Sequence, residues 1–253
     1  MTTPTPTDMP GVPTLESLAR EAGYIEQSLT AAGQELTKYG ATQAVNKGGE
    51  HASSARGAID GALSAIRGAM AEAAKVVDDR RMYPAGRHDQ VREIVAKTEA
   101  AVREAVERAE TDALIAEASA VVAATPPVDT REALIARHDV EMMLGDATRG
   151  DFVERLNALI AMDGPAGHLA SSEYLRLYLT AKGVEPRVAE QYLAAARRAA
   201  LAAAEASDDP ARRRAAAVAG ATPHARKAAA AARASWSQAR AHIERLSRRI
   251  PKS

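Results

Sequence analysis

The chain predicts an all-α protein, and three observations carry that expectation. Alanine supplies 60 of the 253 residues. Apolar residues recur in alternating steps of three and four, the signature of one helix face, and no run keeps the two-residue period of a strand. The remainder is rich in Glu, Arg and Leu, which with Ala are the strongest helix formers. Only 3% of residues are aromatic, although 46% are hydrophobic. Alanine buries little area, so a thick core closed around a substrate cavity is not expected. A thin, elongated assembly of long helices is.

Residues 1–13 hold Thr and Pro, with Asp8 as the one charge, and predict a disordered arm. The arm has neither the basic start nor the apolar stretch of a secretion signal, which predicts a product that is not secreted. No apolar run approaches the roughly 20 residues of a membrane span. Thr14 reads as an N-cap. Behind it Leu15, Leu18, Ala22, Ile25, Leu29, Ala32, Leu36 and Tyr39 form a heptad seam. A seam this narrow asks for a partner helix, from this chain or from another copy. Leu15, Leu18, Ile25, Leu29, Leu36 and Tyr39 are the residues expected to self-associate.

Asn46-Lys47-Gly48-Gly49 reads as a break. A second stripe follows at Ile59, Leu63, Ile66, Met70, Ala73 and Val77, with Gly57, Gly61 and Gly68 along it. Those glycines mark either close helix packing or a weak helix. The segment from Asp78 to Gly86 predicts a stop, and a helix over about 87–124 follows. Its charges alternate, and Val91, Val95, Val102, Ala105 and Ala109 form its apolar side. Antiparallel pairing with residues 50–79 is the simplest cover for that side.

Thr125-Pro126-Pro127 predicts a boundary. Residues 126–207 then change character and predict a compact helical module. Asp129 and Glu132 have capping-box spacing. Leu134, Ile135, Met142, Met143 and Leu144 lead to Phe152, Val153, Leu156, Leu159 and Ile160. Further helices carry Leu169, Tyr174, Leu175, Tyr178 and Leu179, then Val188, Tyr192, Leu193 and Leu201. Asp208-Asp209-Pro210 ends the module. Residues 211–221 read as linker or helix, and Thr222-Pro223 as the start of a last helix over 223–250.

Net charge is zero but unevenly placed. Residues 1–209 carry 22 basic and 32 acidic side chains, and residues 210–253 carry 11 basic ones and only Glu244. Such a basic tail points to an acidic partner, or folds back on its own acidic body. Arg226, Arg233 and Arg240 lie seven apart beside Trp236, Ile243, Leu246 and Ile250. The residues expected to bind a partner are Arg226, Lys227, Arg233, Trp236, Arg240, Ile243, Arg248 and Arg249. A nucleic-acid backbone is the other target of such a row, though a single Trp supplies little for base stacking.

No catalytic or cofactor constellation emerges. Without cysteine there is no disulfide, thiolate or thiolate-bound metal. The six histidines, His51, His88, His138, His168, His224 and His242, stand in no metal-ligand spacing. No glycine loop is followed by Gly-Lys-Ser/Thr. Arg149-Gly150-Asp151 matches a recognition tripeptide by chance, Asp151 being placed to start a helix. The expectation is a non-enzymatic protein with no cofactor and no metal.

An acidic Ala-rich helical body, the segment Arg81-Met82-Tyr83-Pro84-Ala85-Gly86-Arg87 opening a charged helix, a small helical module and a basic C-terminal helix together resemble structural and assembly proteins of tailed bacteriophages infecting high-GC bacteria. The excess of Arg over Lys agrees with a GC-rich source. The resemblance implies a virion or head-assembly role, as a scaffold-like or minor capsid-associated component. It implies location in the virion or the host cytoplasm, with partners among its own copies and capsid, portal or other virion proteins. A basic C-terminal helix that docks on coat protein corresponds to residues 223–250. A cellular coiled-coil adaptor or nucleoid-associated protein, using the same tail on DNA, is the alternative.

Overall fold

The computed structural model describes residues 12–40, 47–125, 128–145, 151–162 and 164–251. Of the described residues 87% are helical, and no strand occurs among them. The arm up to residue 11, Asn46, Pro126, Pro127, Arg149 and Gly150 lie outside them, as does the side chain of Tyr39. The helices are α1 (Leu15–Gly40), α2 (Lys47–Asp78), α3 (Pro84–Ala124), α4 (Thr130–Leu144), α5 (Phe152–Ala161), α6 (Pro165–Ala170), α7 (Glu173–Ala181), α8 (Pro186–Glu205) and α9 (Pro210–Ser247). None is long and apolar enough to cross a membrane.

Local chemistry sets several helix ends. Thr14 caps α1, its Oγ1 accepting from the Ser17 amide at 3.2 Å. Asp129 caps α4 through the Arg131 amide at 3.1 Å, and Ser172 caps α7 through that of Tyr174 at 3.2 Å. At the end of α7, Gly183 takes φ +84°, where any side chain is strained. Val184 and Gly183 then donate to Leu179 and Thr180 at 3.0 Å each, a Schellman closure. Three expected ends move. Gly48 and Gly49 lie inside α2 rather than in a break. Pro84, Ala85 and Gly86 open α3 instead of closing α2, because proline at a first helical turn loses no hydrogen bond. Pro223 is interior to α9, which starts at Pro210 with Asp209 accepting from the Ala211 amide at 2.8 Å. The alanine-rich flanks carry the helix past the missing donor.

The chain divides into two units. The first comprises Met1–Ala41, His51–Leu114 and Thr222–Ser253. Its four helical segments close a ring of side-chain contacts. Arg67 of α2 donates to Glu26 of α1 at 3.0 Å. His51 of α2 meets Asp112 of α3 at 2.7 Å, and Arg87 of α3 donates to the Val77 carbonyl at 2.8 Å. Arg233 and Arg240 of α9 reach Glu110 and Glu99 of α3, and His224 and His242 of α9 reach Glu35 and Glu21 of α1. In the α2–α3, α3–α9 and α1–α9 pairs, residue numbers rise on one helix as they fall on the other. The segments therefore form an antiparallel four-helix bundle, with large side chains such as Leu29, Ile59, Ile66, Val102, Val106 and Ile243 fully buried.

The second unit comprises Thr42–Glu50 and Ile115–Ala221. Its main core gathers Val140, Leu144, Phe152, Leu156, Leu159, Leu175, Leu179 and Leu193 from α4, α5, α7 and α8. Phe152 meets Tyr192 edge-on at 4.8 Å. Gly167 brings α6 against α5: an added Cβ would lie 2.7 Å from the Leu159 carbonyl oxygen. A separate cluster of Ala124, Ala204, Ala215 and Ala216 joins the last turns of α3 and α8 to the first turns of α9.

This division differs from the expected segments 14–124, 126–207 and 210–253. It falls within α3 after Leu114 and within α9 before Thr222. The reason is partner choice. After residue 222 the side chains of α9 pair with α1 and α3, whereas its alanines at 215 and 216 pack with Ala124 and Ala204.

Gly57, Gly61 and Gly68 are exposed, and a Cβ added at any of them meets nothing within 4 Å. Close packing therefore does not explain them, and they weaken α2 by backbone entropy alone. Gly61→Ala and Gly68→Ala are each expected to raise stability by about 0.5–1 kcal/mol in urea melts. Gly167→Ala is expected to lower it.

Candidate functional site

The C-terminal helix was the segment expected to carry function. From Thr222 onward its buried positions run Thr222, Ala225, Ala228, Ala229, Ala232, Ser235, Trp236, Ala239, His242, Ile243 and Leu246. That stripe is wide rather than narrow, and alanine dominates it, so neighbouring helices approach closely. Trp236 keeps 7% of its surface exposed and Ile243 none. The stripe expected to dock a partner is thus occupied by the chain's own bundle. This corrects the assignment of Trp236 and Ile243 to a partner surface.

The basic row is largely paired inside the unit. Arg233 lies 3.2 Å from Glu110. Arg240 bridges Glu99 and Glu244 at 3.0 Å each. Arg245 lies 3.2 Å from Glu21. The tail therefore folds back on acidic residues of its own body, the second of the two sequence alternatives. Arg226, Lys227 and Arg248 are exposed, and Arg249 is half-buried.

The α1 seam is covered in the same way. Leu18, Ile25, Leu29 and Leu36 are buried in the bundle, while Leu15 is 64% exposed. The partner helix that the seam asked for belongs to this chain. Those four buried residues are core, which corrects their assignment to self-association.

Three histidine–carboxylate pairs tie the bundle together: His51–Asp112 and His224–Glu35 at 2.7 Å, and His242–Glu21 at 3.3 Å. The members are 61, 189 and 221 positions apart, so no sequence spacing announces them. A hydrogen bond from Lys38 and then one from His224 hold the Glu35 carboxyl down at about 2, against burial. Burial pushes Asp112 up, but hydrogen bonds from Ser54 and His51 and the charge of Arg108 outweigh it, leaving the carboxyl below its usual range. These depressed carboxyls stabilise the folded state above their ordinary values and lose that contribution as pH falls through the folded ones. Glu35→Gln is therefore expected to lower the thermal midpoint at pH 7. The gap to wild type should close between the ordinary 4.5 and about 2, followed by circular dichroism melts.

Comparison with family models, curated proteins and solved structures finds no match to this chain.

What the site can do therefore rests on its own geometry. A groove of about 640 Å³ runs between α1 and α9, with Ile25 and Ala241 in its lining and Glu21, Ser28, Gln238 and Arg245 contributing polar groups. Its charged members, Glu21 and Arg245, already hold each other. Among the described residues no three His, Asp or Glu side chains converge to hold a metal ion. Asp79 serves a turn, accepting from the Arg81 amide at 2.9 Å. Asp151 precedes α5 and pairs with Arg155 at 2.8 Å.

The feature that sequence reading missed is on α4. Leu134, Ile135 and Met142 were grouped with the apolar residues of the module, but they face outward. Their signal was legible: α4 has an apolar row at 136, 140 and 144 and another at 134, 135 and 142. One helix cannot turn both toward a single core.

Proposed function

We propose that this chain is a non-enzymatic structural protein of assembly. The resemblance of its sequence to tailed-phage proteins supports a role in a virion or in head assembly, in the particle or the host cytoplasm. The observation that carries the non-enzymatic reading is the use made of charge. Arg233, Arg240, Arg245, His224 and His242 each grip a carboxylate on a neighbouring helix, so these groups hold the fold rather than converge on a substrate. The C-terminal helix is a structural clasp. The contact to an acidic partner, expected of the whole helix, is left to the exposed Lys227 and Arg248 with the half-buried Arg249.

The test is incorporation. Particles made from the head genes that neighbour the chain's own gene should contain it in fixed stoichiometry. A Lys227→Glu, Arg248→Glu, Arg249→Glu variant should melt as wild type does yet enter particles poorly. Normal particles without the chain would sink the proposal. Binding to duplex DNA that survives physiological salt would favour the nucleoid reading, since such binding normally weakens steeply with salt.

A further inference from the structure

We draw no further inference here: the strongest candidate, the outward apolar face of α4 formed by Leu134, Ile135 and Met142, carries nothing further because nothing in the structure shows what covers it.

Discussion

Trp236→Ala is expected to unfold the four-helix unit at temperatures where wild type is fully folded. The ring is the largest side chain on the inner face of α9, and 93% of its surface is covered. Truncating a buried aromatic costs about 3–5 kcal/mol through lost transfer energy and the cavity left behind. One effect opposes this. The indole Nε1 is buried without a hydrogen-bond partner, and removing such a donor returns about 1–3 kcal/mol. The cavity term wins, leaving a net loss of about 2 kcal/mol, a large share of a domain's usual 5–15. Urea melts with near-ultraviolet dichroism measure it. Arg233→Ala, whose partner Glu110 is also exposed, should cost less than about 1 kcal/mol. Equal losses for the two variants would show that the bundle does not depend on the ring.

Leu29→Glu with Leu36→Glu is expected to do more harm still. Leu29 is fully buried and Leu36 nearly so. A carboxylate at either place loses the leucine contacts, about 2–5 kcal/mol, and must also be desolvated without a partner. The pair exceeds any plausible reserve of stability, so α1 should detach and helicity fall. A double variant with helicity unchanged and only its solution mass altered would return the seam to the role of an interface between copies. Leu15→Glu, at an exposed position, is the control expected to leave the melt as it was.

The all-α fold was legible because the helix period of the apolar residues is a local property, written into spacing and propensity. Caps at Thr14 and Asp129 follow from side-chain oxygens. The module core around Phe152, Leu156, Leu175 and Leu193 was legible too, as the one stretch dense in large apolar residues.

The antiparallel pairing of α2 with α3 was legible, but what covers the seams of α1 and α9 was not, because an apolar stripe states only that something covers it. The α1 seam and the α9 stripe read alike as surfaces waiting for a partner, and tertiary structure supplied each to the other within one bundle. The basic tail was visible in the composition, yet its neutralisation depends on Glu21, Glu99 and Glu110, more than a hundred positions away along the chain. Coulomb energy depends on distance in space, and sequence separation does not record it. Sequence alone thus determined the helical class, the caps at Thr14 and Asp129 and the charges. Only the tertiary structure decided that α9 is a clasp, that its tryptophan is core, and that the apolar face left outward lies on α4.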